Sequence, residues 1–109
     1  MKAFIIPVSN LWVSGIALFP FIFIEKQISK HQKTVLINHE RIHIRQQIEL
    51  LVLPFYFFYL INYLYNFFKY RNHQKAYLAI VFEKEAYHHQ TDLSYLNARK
   101  TGAWIKYLR

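Results

Sequence analysis

The chain has 109 residues, 54% hydrophobic and 19% aromatic, with fourteen Lys/Arg against six Asp/Glu and a formal charge of +8. The lack of cysteine removes disulfide frameworks, thiolate zinc fingers and cysteine nucleophiles, and two glycines are too few for a Gly-rich phosphate loop. The composition is too apolar for a disordered chain, and a 13.3 kDa domain has too little interior to hide ten Phe and nine Tyr. Such a basic, aromatic chain suits an anionic membrane or an apolar protein partner. It argues against nucleic acid, because the aromatics cluster in apolar stretches instead of interleaving with Lys/Arg. The expected location is membrane-associated, otherwise cytoplasmic.

No repeat or linker divides residues 1–109, which read as one domain. Residues 16–24, rich in Phe and Ile and containing Pro20, are predicted as an edge strand. After the polar segment 25–33, a helix over about 35–52 is predicted, with Thr34 as its cap. Arg41 and Arg45 fall away from the His39/His43 face, and Glu49 lies one turn beyond Arg45 as a partner. Pro54 then interrupts the chain, and an aromatic helix follows over about 55–70. One of its faces carries Tyr59, Asn62, Tyr63, Asn66 and Tyr70; the opposite face carries Phe57, Leu60, Ile61, Leu64, Phe67 and Phe68. A basic turn leads to a helix over about 75–89, then a short one over about 93–101, and Gly102 opens a basic-aromatic tail. The expected fold class is mainly α with a short N-terminal β element, the alternative being an all-α membrane-associated domain.

The chemistry is concentrated in Asn38-His39-Glu40-Arg41-Ile42-His43, which contains His-Glu-x-x-His. On a helix the two imidazoles stand one turn apart on one face and share a metal ion, with Glu40 beside them as a proton acceptor for activated water. The bland alternative is a solvated helix whose histidines pair with neighbours. Glu83 supplies a third candidate ligand. Its helix stripe otherwise holds Ala76, Ala79, Ile80 and Tyr87, and a carboxylate on an apolar stripe is costly without a partner. Glu85 points to another face and is expected at the surface; His88 and His89 are second-choice ligands.

A resemblance follows from these motifs. A strand, a His-Glu-x-x-His helix, an apolar helix and a Glu-x-x-Ala helix in that order resemble the gluzincin branch of zinc metallopeptidases. The membrane-bound types are most similar, among them the metallopeptidase domain of beta-lactam sensor-transducers, as are small bacterial proteins with a His-Glu-x-x-His-x-x-Gln string. The resemblance implies a minimal zincin-like fold, Zn2+ held by His39, His43 and Glu83, Glu40 as catalytic base, and a peptide or protein substrate. The family carries Asp four residues after the ligand Glu; Tyr87 stands there instead, in the place of the carboxylate that orients a ligand. A non-catalytic membrane-associated helical module with a structural or vestigial metal site is the alternative.

Helix geometry adds a condition. One straight helix over 36–70 would carry Tyr70 about 40 Å past His43, and a returning helix recovers only about 14 Å by Glu83. A chain that reverses near Pro54 has legs of about +15, −23 and +14 Å, which nearly cancel. A three-ligand site therefore requires a sharp bend at Leu53–Phe55.

Overall fold

The computed structural model describes residues 3–108 and is mainly helical, with a small N-terminal sheet. Strands β1 (Phe4–Val8), β2 (Gly15–Leu18) and β3 (Phe21–Glu25) form a sheet of order β1-β3-β2. β1 runs parallel to β3, and β2 pairs antiparallel with it, Ala17 opposite Ile22. The predicted strand at 16–24 is thus two strands: Pro20, which cannot continue a ladder, sits in the turn between them. Only β2 borders the site as an edge; β3 is central. The alternation of β3 turns Ile22 and Ile24 into the core, where they meet Ala17 and Ile44.

Helix α1 (Lys30–Glu49) crosses this sheet. It starts five residues before the predicted boundary because Ser29 and Gln32 form a capping box, each side chain bonding the other's backbone N–H. Thr34 instead lies inside the helix, its hydroxyl donating to the Lys30 carbonyl. At Leu51 and Val52 the backbone turns left-handed, with φ of 61° and 65°. This is a strained setting for a β-branched valine. Helix α2 (Leu53–Tyr70) then leaves at 112° to α1, with Pro54 in its first turn. The sharp bend is present, a few residues ahead of its expected place.

The two faces of α2 are arranged opposite to the usual sense. Its polar-tipped side turns inward. Asn62 Oδ1 accepts from the Val81 N–H at 2.8 Å, Asn66 Nδ2 donates to the Ala76 carbonyl, and Tyr59 reaches Glu83. Phe57, Leu60, Ile61, Leu64 and Phe68 face outward, 41–63% exposed. No single helix among the described residues is long and apolar enough to cross a membrane.

The predicted helix at 75–89 is broken. Helix α3 (His73–Leu78), capped by Asn72, stops at Ala79, and α4 (Val81–His89) restarts after an extended Ile80. The Asn62 amide oxygen supplies the cap that local sequence lacks. The stretch predicted at 93–101 holds only one helical turn, α5 (Tyr95–Ala98), and Ala103–Tyr107 form a 3-10 turn. Phe55, Ile80 and Phe82 make a second apolar cluster, flanked by Trp104. His39 and His43 of α1 meet Glu83 of α4.

Candidate metal centre

His39 and His43 project from one face of α1, and α4 packs against that face. Ala76, Ile80 and Ala86, all fully buried, let α3 and α4 approach closely and bring Glu83 down onto the imidazoles. The three side chains are buried, and one ligand atom from each lies within 4.8 Å of the others, a group that can hold a metal ion. His39 Nε2 and His43 Nε2 are 3.2 Å apart, and Glu83 Oε1 is 3.1 and 3.0 Å from them.

The neighbours of these residues decide where the hydrogens are. Gln46 Nε2 donates to the Phe82 carbonyl at 3.1 Å and to Glu85 Oε1 at 2.8 Å, so its oxygen faces His43 Nδ1, 2.8 Å away. That oxygen can only accept, so His43 carries its hydrogen on Nδ1 and offers a bare Nε2 in the neutral state. Gln90 Oε1 does the same for His39 Nδ1 at 2.8 Å. Asn38 fixes the end of α4 there, donating to the carbonyls of His89, Gln90 and Asp92. Tyr59 donates to Glu83 Oε2 at 2.6 Å, leaving Oε1 for the histidines. Three acceptor atoms therefore converge on one point, a repulsive arrangement unless a cation or a proton lies among them.

The electrostatics follow. Burial opposes charge on His43, yet the Glu83 carboxylate, by its field and its hydrogen bond, pushes the imidazole pKa up to about 9. Burial likewise works against ionised Glu83, but the two histidines hold it well below the usual carboxylate range. Without metal the site thus traps a proton, which a metal must displace. Glu83 also lies in the first turn of α4, where the helix dipole favours a negative charge. Glu40 is 5% exposed and has no hydrogen-bond partner among the described residues. Burial raises its pKa above the ordinary value, and the Glu83 charge adds to this against the pull of His43 and His39.

The cleft beside Glu40 and His43 has a volume of about 240 Å³ and is lined by Gly15–Leu18 of β2, Phe55, Tyr56 and Tyr59. Ser14 bonds Glu25, so by alternation Gly15 and Ala17 turn their backbone groups away from β3, toward the free edge. Gln47 takes part of that edge, donating to the Ala17 carbonyl and accepting from the Phe19 N–H, both at 2.8 Å.

The remaining candidates stand elsewhere. Tyr87 does not orient a ligand by hydrogen bonding: its ring lies edge-on to His39 at 4.4 Å, and its hydroxyl pairs with Tyr77. Gln90, three residues on, fills that place. Glu85, expected at the surface, is fully buried and bonded by Gln46, Tyr95 and Arg99. It supports Gln46, the glutamine that holds His43 in the candidate metal group. His88 and His89 stand outside the His39/His43/Glu83 group: His88 is exposed, while His89 stacks on Tyr95 at 3.7 Å and bonds Tyr107. Glu49 pairs with Arg99, not Arg45, and also accepts from the Gly102 N–H. Sequence reasoning missed Gln90, Tyr59 and Arg99 in these roles. Of the supporting residues only Gln46 had a local signal, as the last residue of the His-Glu-x-x-His-x-x-Gln string. No protein-family model, curated protein or solved structure matches the chain.

Proposed function

We propose that this protein is a zinc-dependent hydrolase of peptide bonds, of the gluzincin kind that the motif resembles. One observation carries the reading: two imidazoles with their Nδ1 atoms tied to glutamine oxygens present bare Nε2 atoms to a buried carboxylate at 3.0–3.2 Å. Four-coordinate zinc, with bonds of about 2.0–2.1 Å, spaces its ligand atoms about 3.3 Å apart, and two nitrogens with one carboxylate oxygen are a donor set it favours. Three protein ligands leave one position open, as catalytic sites do. Bound zinc supplies a Lewis acid that polarises a carbonyl and makes water nucleophilic near neutral pH.

The chain's own groups do the rest. Glu40, beside the ligands and facing the cleft, accepts the proton of the attacking water and returns it to the leaving nitrogen. The Gly15 N–H and C=O and the Ala17 N–H are the edge groups left for an extended peptide once Gln47 has taken its share.

The test is zinc stoichiometry in wild type, His43→Ala and Glu83→Gln, followed by hydrolysis of a peptide library by wild type and Glu40→Gln. About one zinc per wild-type chain is expected, with sharp loss in both ligand variants. Glu40→Gln is expected to keep its zinc and lose about 10²–10⁴-fold in rate. A wild type that takes up no metal after zinc addition overturns the site. Zinc retained without hydrolysis makes the metal structural.

A further inference from the structure

The outward face of α2 is larger than a free monomer ordinarily shows. At 100° per residue, Phe57, Phe58, Leu60, Ile61, Leu64 and Phe68 fall within an arc of about 160°, with Tyr65 inside it. These seven side chains are 41–66% exposed. With a large aromatic side chain offering about 150–250 Å², together they present about 700 Å² of apolar surface, beyond the largest patch of a typical soluble monomer. Leu51 and Leu53, 79% and 76% exposed, extend it around the corner from α1. This surface does not arise from a lack of polar residues on the helix. Asn62, Asn66 and the Tyr59 hydroxyl are spent inward, on Val81, Ala76 and Glu83.

Charge identifies what covers this face. Of the six acidic residues only Asp92 is exposed; Glu40, Glu83 and Glu85 are buried, and Glu25 and Glu49 are partly covered. Half of the carboxylates are inside the protein, so the exposed charges among the described residues are cationic except for Asp92. Lys69, the single charged residue of α2, falls about 20° beyond the edge of the apolar arc. The Arg71 guanidinium lies over Phe68 at 5.6 Å, on the rim of the same face. A second copy would bring one cationic surface against another. An anionic bilayer complements it, each basic residue near such a surface being worth about fivefold in affinity.

We infer that α2 lies in the plane of an anionic bilayer surface, with its phenylalanine and leucine face at the acyl boundary and Lys69 and Arg71 among the headgroups. The helix is about 27 Å long and joins α1 at 112°, which suits a helix lying along a surface. This inference stands apart from the peptidase reading, since neither zinc nor hydrolysis enters it.

The test is co-sedimentation of the full chain with phosphatidylcholine vesicles, with and without phosphatidylserine, at low and high salt. Wild type is expected to bind the anionic vesicles at least tenfold more tightly than neutral ones, and salt to erase most of the difference. Ile61→Asp with Leu64→Asp, both exposed, is expected to lose at least tenfold while keeping its circular dichroism spectrum and thermal midpoint. Lys69→Glu with Arg71→Glu is expected to weaken binding to anionic vesicles alone. Wild type that stays in the supernatant with anionic vesicles overturns the inference, as does binding unchanged in the folded Ile61/Leu64 variant. A vesicle-independent dimer dissolved by that variant also overturns it, assigning the face to a second copy.

Discussion

Replacing Arg99 by methionine is expected to destabilise the protein more than almost any other single change outside the metal group. The Arg99 side chain is fully buried, although it directly follows the single helical turn α5. Its Nε and Nη2 donate to both oxygens of Glu85, and its Nη1 and Nη2 donate to both oxygens of Glu49. Glu85 is itself wholly buried, so removing the guanidinium leaves a carboxylate with only Tyr95 and Gln46 as donors. Breaking such a buried pair costs about 3–5 kcal/mol, and for a domain near this size that lowers Tm by about 15–25 °C. Arg99→Lys keeps the charge but not the planar fork and is expected to fall between, at about 1–3 kcal/mol. Thermal unfolding followed by circular dichroism, with zinc and with chelator, measures both. Adding Glu85→Gln to Arg99→Met should recover a large part of the loss, since a neutral amide replaces the stranded charge. A loss under about 3 °C in Arg99→Met would refute the reasoning, because the carboxylates would then not depend on their cation.

The same network sets an acid limit. Burial alone would raise the Glu85 pKa, but hydrogen bonds from Arg99, Tyr95 and Gln46 outweigh it and hold the carboxyl below its ordinary value. Its contribution is therefore complete above the unfolded pKa of about 4.3 and is lost as pH falls through the lower folded value. Urea midpoints from pH 6 down to 3 should decline in wild type and be flatter in Glu85→Gln. Tyr59→Phe removes the donor on Glu83 Oε2 and should weaken zinc binding about tenfold in a chelator competition, with little change in secondary structure. Gly102 has φ of 80° and donates its N–H to Glu49; Gly102→Ala should cost about 1 kcal/mol, read as a fall of a few degrees in Tm.

Much of the candidate site is legible in the sequence because it rests on helix periodicity. His39 and His43 share a face by spacing alone, and Glu83 is conspicuous as a carboxylate on a stripe of alanines. The bend before α2 follows from helix rise and the need to bring Glu83 back. What eludes the sequence is tertiary. The predicted helix breaks at Ala79–Ile80, where Asn62, nineteen residues before Val81, caps the next one. Glu85 resembles a surface glutamate until Arg99, brought in by a turn with no periodic pattern, neutralises it. Periodicity separates the two faces of α2 but not their orientation. That is decided by unpaired partners on α3 and α4: a free N–H, a carbonyl and a carboxylate oxygen, all needing polar tips.

Gln46 and Gln47 are neighbours in the chain, yet their amides serve different structures. Gln46 holds His43, and Gln47 grips the edge of β2 at Ala17 and Phe19. A single turn of α1 is therefore a common anchor for the ligand face and the strand edge, and a helix hardly stretches. Under the proposed peptidase function, a peptide laid along β2 would meet this helix as a ruler, the span from the last paired residue to the reacting bond being set by the protein. Cleavage positions in a family of shifted peptides would then move in step with the register of pairing, a length rule written by two adjacent amides.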